Sequence, residues 1–221
     1  MSRQLTFDLP ARTALGREDF FVTQANRAAV AMIEGWEGWP SGKLMLTGPS
    51  GAGKTHLAHV WAALSGARIV DATALPGADI PVLASGPVAI EDIGEIAGER
   101  AAQDALFHLH NLAQANGQAL LLTARSEPQH LSLTLPDLQS RLQAAPVVPL
   151  REPDDALLSA VLMKLFADRQ LVPKPDVIPY LTRHMPRSFA AARSLVEALD
   201  SAALSEGRDV TRALARSVLE G

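Results

Sequence analysis

The chain has 221 residues, 48% hydrophobic, with 24 acidic against 20 basic side chains and a net charge of −4. That is room for one large domain, or one large and one small, and enough apolar residues for a real core. The charge balance excludes a strongly basic nucleic-acid module, and the absence of cysteine excludes disulfides and thiolate metal sites. No apolar run approaches the roughly 18 residues of a membrane span, and no secretory h-region opens the chain. A soluble cytoplasmic protein is expected.

In chain order, Gln4-Leu5-Thr6-Phe7-Asp8-Leu9 alternates polar and apolar residues and stops at Pro10. It reads either as a free terminal tail or as an extended peptide for an apolar groove, with Leu5, Phe7 and Leu9 as anchors. A helix is predicted over 28–36, and Trp39-Pro40-Ser41-Gly42 closes it. Strands are predicted at 43–47, 67–71, 87–90, 119–123 and 146–150, with helices after the first, third and fourth. Pro76 to Gly86 reads as loop, being rich in Pro and Gly. After Arg151 strands cease. Leu157, Leu158, Val161, Leu162, Leu165 and Phe166 form a helical stripe over 154–169, and further helices are predicted at 176–184, 188–206 and 212–219. Gly207 stops the longest, and Thr211 has the chemistry of an N-cap for the last. The expected fold is α/β: a parallel five-stranded sheet covered on both faces, then a small all-helical unit. The expected divisions are 1–14, 15–150 and 151–221.

Gly48-Pro49-Ser50-Gly51-Ala52-Gly53-Lys54-Thr55 is G-x-x-x-x-G-K-[ST] in full, between an apolar strand and a helix that opens with His56. That context makes the motif a phosphate site. Glycines let several backbone N–H groups converge on one centre, and the helix adds its positive end. Lys54 is the cation for the outer phosphates, and the Thr55 hydroxyl is a candidate ligand for Mg2+.

Glu91-Asp92 closes the third strand, where such a site needs one carboxylate for the metal shell, partly through water, and another to orient the attacking water. Glu91 is the candidate for the metal and both are catalytic candidates. Thr123 ends the fourth strand, with its hydroxyl expected near the outer phosphate. Arg141 is either an i, i+4 partner of Asp137 or an arginine finger for a nucleotide on a neighbouring molecule. Arg187, at the start of a late helix, is placed to reach back to phosphates. His56, His59, His108 and His110 have no matching carboxylate set, so no histidine metal site is expected.

Together these residues resemble the AAA+ ATPases, in the initiator-related branch around DnaA, over nearly the whole chain after residue 14. The phosphate loop, Glu91-Asp92, Thr123 in the sensor-1 position, Ser140-Arg141-Leu142 in the arginine-finger position and Pro186-Arg187 in the sensor-2 position fall in family order. Glu precedes Asp here, the reverse of the usual order. The resemblance places Phe21, Val22 and Asn26 beside the adenine, and implies ADP or ATP with Mg2+ as ligands. The chain stops shortly after the helical unit and shows no basic recognition helix, so direct sequence-specific DNA binding is not expected. It resembles the short Hda branch, the regulatory inactivators of DnaA, whose clamp-binding motif Gln4, Leu5, Phe7 and Leu9 fit. That resemblance implies the sliding clamp and DnaA as partners, Arg141 acting in trans on DnaA-bound ATP, and weak hydrolysis by the chain itself. Oligomeric state stays open, a homodimer included. The alternative is a helicase-loader or transposition-helper ATPase, which would bind single-stranded DNA or a helicase and need no clamp peptide.

Overall fold

The computed structural model describes residues 21–220. The peptide carrying Gln4, Leu5, Phe7 and Leu9 therefore lies outside the described residues.

Five strands form one parallel sheet: β1 (Lys43–Thr47), β2 (Arg68–Asp71), β3 (Val88–Glu91), β4 (Leu120–Ala124) and β5 (Val147–Pro149). Their order is β2-β3-β4-β1-β5, so the motif-bearing β1 is flanked by β4 and β5. The strands are near-continuous Leu, Val and Ile runs because both faces are covered. Alternation still sorts their side chains by face. Met45, Val88, Ile90, Leu120 and Leu122 join a core with α4 (Arg100–Ala115) and α5 (Pro136–Gln143). Leu44, Leu46, Ala89 and Leu121 join the opposite core with α1 (Arg27–Glu34) and α2 (Lys54–Ser65). In that second core, Trp61 of α2 is fully buried, stacked on Trp39 with ring centroids 5.1 Å apart and edge-on to Trp36 at 6.2 Å. This aromatic group fixes α2, and so the phosphate loop at its start, against the sheet.

The stretch from Pro76 to Gly86, expected as loop, contains α3 (Ile80–Leu83). Asp79 caps it by accepting from the Val82 amide at 3.1 Å, and Pro81 occupies a first-turn position where its missing N–H costs nothing. Burial of Ile80 and Leu83 against α4 decides the outcome over the local Pro and Gly content.

Four helices follow the sheet: α6 (Asp155–Asp168), α7 (Val177–His184), α8 (Phe189–Glu206) and α9 (Arg212–Glu220). They share a core of their own, built on Leu158, Leu162, Phe166, Leu181, Val196, Leu199 and Leu214. The Asp154 carboxylate caps α6, the Ser188 hydroxyl caps α8, and the Thr211 hydroxyl accepts from the Leu214 amide at 3.3 Å. Among the described residues no helix is long and apolar enough to cross a membrane.

Buried Gln103 on α4 ties distant segments together. Its Nε2 donates to the carbonyls of Ile96 and Ala97, and its Oε1 accepts from the amides of Thr134 and Leu135. One side chain thus joins the turn after β3 to the approach to α5, the helix that carries Arg141.

Candidate functional site

The phosphate loop leaves β1 and turns into α2 at Gly53, which has a φ of +102°. At Gly51, with a φ of +76°, a Cβ would meet the Ser188 Cβ at 2.3 Å. One at Gly53 would meet the Phe189 ring at 2.8 Å. The glycines therefore serve the backbone turn and also the approach of α8, whose Phe189 amide donates to the Gly51 carbonyl at 3.1 Å.

Lys54 is buried, with its ammonium donating to the carbonyls of Gly48 at 2.7 Å and Pro49 at 2.9 Å. Burial pulls its pKa below the ordinary lysine value; Asp92 and Glu91 push it back up, while Arg125 acts with burial. Thr55 and His56 follow on α2 and line the same cavity.

That cavity has a volume of about 470 Å³, within the range of small-molecule sites. Its floor is the loop at Ser50, Gly51 and Gly53, with Lys54, Thr55, His56 and His59 of α2. Asp92 and Arg125 stand at the sheet edge, and Phe21 and Asn26 on the N-terminal side. The far wall comes from α6 and α8: Leu157, Val161, Lys164, Leu165, Asp168, Phe189, Ala190 and Arg193. Lys54, Arg125, Lys164 and Arg193 outnumber Asp92 and Asp168, so a cavity in an acidic protein carries a local surplus of cations. Such a cavity draws anions.

Several predicted residues stand differently from expectation. Of the acid pair, Asp92 lines the cavity and Glu91 does not. Glu91 Oε1 is buried with no hydrogen-bond partner among the described residues. Asp92 is the cavity-facing carboxylate because it steps off the strand at a φ of +52°, a region Asp tolerates better than most residues. Thr123, expected at a phosphate, is buried behind the wall, where its hydroxyl accepts from the Asp92 amide at 3.0 Å. It holds the acid in its unusual backbone conformation.

Arg187 is turned away from the cavity. Its guanidinium donates to Asp155 Oδ1 at 2.6 Å and to the Pro153 carbonyl at 3.1 Å. It joins the start of α8 to the start of α6, and the cation that α8 sends into the cavity is Arg193. Phe21 and Asn26 line the cavity, whereas Val22 does not. Buried Asn26 orders that turn, donating to the Phe21 carbonyl and accepting from the Thr23 amide, both at 2.8 Å. Gly48, Pro49 and Ala52 shape the loop behind the lining. Arg141 is exposed on α5 and lies outside the cavity. Among the described residues no ion pair links it to Asp137.

Arg125 and Arg193 escaped the sequence reading. Arg125 had a usable signal: it follows β4 at the sheet edge that carries the motif. Arg193 had none, since its place depends on how α8 docks.

No family model matches the chain. Its structure is similar to domain III of the Thermotoga maritima replication initiation protein DnaA, with a TM-score of 0.80 and 19% identity over 96% of this chain and 98% of that one. It is also similar to AMPPCP-bound DnaA from Aquifex aeolicus, with a TM-score of 0.72 and 18% identity over 86% of this chain and 66% of that one. The fold is that of the AAA+ ATPases. A Thermotoga maritima RuvB matches at a TM-score of 0.69 and 16% identity, over 90% of this chain and 69% of that one. At such identities the likeness to DnaA and RuvB is one of fold.

Proposed function

We propose that this AAA+ protein binds an adenine nucleotide in the cavity and works as a regulatory inactivator of DnaA. In this reading residues 1–14 are a docking peptide for the sliding clamp, through Gln4, Leu5, Phe7 and Leu9. Residues 15–150 are the nucleotide-binding unit and 151–221 its helical lid, in a cytoplasmic protein.

The residues present fit a nucleotide. Lys54 spends its ammonium on two loop carbonyls, contacts that an outer phosphate replaces with stronger charge-assisted bonds. A bound Mg2+ would rest on the Thr55 hydroxyl and Asp92 and would neutralise phosphate charge; the nucleotide and water complete its oxygen shell. Phe21, Val161 and Leu165 offer apolar surface to a base. Among the described residues no group of three or more metal-ligating side chains exists, so the phosphates themselves must supply part of the metal's shell.

The observation that carries the regulatory reading is the position of Arg141. It is exposed and unpaired with Asp137, and its charge reaches Lys43 at the start of β1, where burial chiefly and Arg141 in addition lower that lysine's pKa. Lys54 follows the opposite end of β1, roughly 13 Å of strand away at ~3.3 Å per residue. An arginine so placed cannot serve this chain's own phosphates, but it suits a nucleotide on another molecule. DnaA is the partner that the Hda resemblance implies.

A single-turnover assay of DnaA-bound ATP, with DNA-loaded clamp, tests this reading. Arg141→Ala should slow hydrolysis by about 10³-fold or more, as loss of a trans-acting arginine finger does. Arg141→Lys should rescue poorly, because it lacks the planar fork. Near-normal hydrolysis with Arg141→Ala would refute the finger and return the helicase-loader alternative.

A further inference from the structure

We propose that the exposed face of the helical unit where α7 and α9 meet is a sequence-independent contact for the phosphate backbone of duplex DNA, made by Arg183, Arg212 and Arg216 around Tyr180. The choice of DNA as the polyanion rests on the proposed reading, in which the chain works at a clamp loaded on DNA. The surface itself is separate from the nucleotide cavity, to which α7 and α9 contribute no lining residue.

Positive charge is concentrated on this face of an acidic chain. α7 and α9 together hold Arg183, Arg212 and Arg216 against Glu220 alone, in a protein of net charge −4. All three arginines are exposed, as is His184. Tyr180 brings the two helices together. Its ring stacks on His184 with centroids 4.3 Å apart, and the Arg212 guanidinium lies 4.9 Å from its centre. Arg183 stands three residues after Tyr180, on the same side of α7. Arg216 is one turn beyond Arg212, and its pKa is raised first by its bond to Glu220 and in smaller part by Tyr180. The flanking loops add two carboxylates: Asp176, exposed just before α7, and Asp209, held by Lys174 at 2.7 Å.

Helix stability does not account for this arrangement. Arg183 and His184 close α7, where the helix dipole favours cations, but Arg212 opens α9, where it disfavours them. Among the described residues Arg183 and Arg212 have no carboxylate partner. Arg216 is paired with Glu220 at 2.7 Å, an exposed bond given up at small cost. The geometry also selects backbone over bases. Stacking a base needs a bare aromatic face, and the Tyr180 ring is already covered by His184 and Arg212. A guanidinium held against a ring has lost part of its rotamer freedom before a phosphate arrives, and its planar fork then binds through two donors. Three arginines match three phosphates, so binding is weak and salt-dependent.

Fluorescence anisotropy of the full chain with a mixed-sequence DNA duplex, over about 50 to 200 mM salt, tests this. Log affinity should fall against log salt with a slope of roughly −2.7, for three phosphates. Arg183→Ala, Arg212→Ala and Arg216→Ala should each weaken binding about fivefold to tenfold and reduce the slope by about one. Arg212→Lys should keep the slope and lose about threefold, since the charge stays and the fork goes. Arg27→Ala, which removes an exposed charge from α1, should change binding by less than about twofold. No binding at the lowest salt, a slope untouched by the three substitutions, or an Arg27→Ala loss as large as theirs overturns the inference. So does tighter binding of single-stranded DNA than of the duplex, which would give the surface to bases. Equal binding of poly-glutamate would give it to an acidic protein and overturns the inference as well. The titration needs neither nucleotide, clamp nor DnaA, so its failure leaves the regulatory reading to the Arg141 assay, and failure of that assay leaves this surface standing. Melting curves like that of wild type are expected for these exposed arginines and confirm that a lost affinity is not lost fold.

Discussion

Two buried lysines flank β1, and they are built for opposite ends. Lys43 opens the strand and Lys54 follows the loop at its close, and burial lowers the pKa of both. Lys43 has its ammonium 3.0 Å from His110 Nε2, inside a buried pair. Burial first, then Lys43, depresses the His110 pKa to about 4, so the ring is neutral and accepts. Lys54 is held by two backbone carbonyls beside a cavity, among Asp92, Glu91 and Arg125. The first cation is closed off by protein, and the second faces a space with surplus positive charge. Burial and pKa shift alone do not mark a functional lysine; the cavity and the replaceable partners do.

The comparison breaks most sharply in binding. Lys54→Ala should weaken adenine nucleotide by about a hundredfold, as two charge-assisted contacts are lost. Lys43→Met should leave affinity within about twofold, being remote from the cavity. A smaller effect should appear in the pH dependence of stability at the closed end. His110 has an ordinary pKa of 6.5 and a folded value of about 4, so the unfolded chain takes up the proton first. Stability present above pH 6.5 is therefore lost as pH falls toward 4, by on the order of 3 kcal/mol. Urea unfolding at pH 7 and at pH 4.5 measures this, and His110→Gln should flatten the profile in that window. Smaller again, Gly51→Ala should cost about 1–3 kcal/mol, because its Cβ meets Ser188 at 2.3 Å in a left-handed backbone. Thermal melting should show that loss, with weaker nucleotide binding as the loop and α8 separate. The smallest effect belongs to Arg141, whose exposed side chain should contribute under about 0.5 kcal/mol to folding. A stability loss well above that in Arg141→Ala would give it a structural role and blur the contrast between the two ends.

The strands and the phosphate loop were legible because both rest on local signals. β1 lies over the predicted 43–47, and the other four strands begin one residue after their expected starts. Helix α3 was hidden because burial of Ile80 and Leu83 overrides a Pro- and Gly-rich context. The Lys43–His110 pair joins residues 67 apart, and no spacing rule links them. Gln103 reaches partners on two other segments for the same reason. At the site, adjacency misled: Glu91 and Asp92 are neighbours in sequence and equally half-buried, yet the strand keeps Glu91 out of the cavity lining and the left-handed step brings Asp92 into it. The lid wall could not be read either, since a helical stripe says which residues are apolar and not which of them face a neighbouring cavity. Val161 and Leu165 were read as core stripe and also line the cavity.

The most direct test of the nucleotide reading is a crystal structure with AMPPCP and Mg2+. The account predicts phosphates in the loop from Gly48 to Thr55, with the Lys54 ammonium moved off the Gly48 and Pro49 carbonyls onto them. It predicts the base between Phe21 and α6. A nucleotide bound elsewhere, or phosphates in the loop with Lys54 still on those two carbonyls, would contradict it.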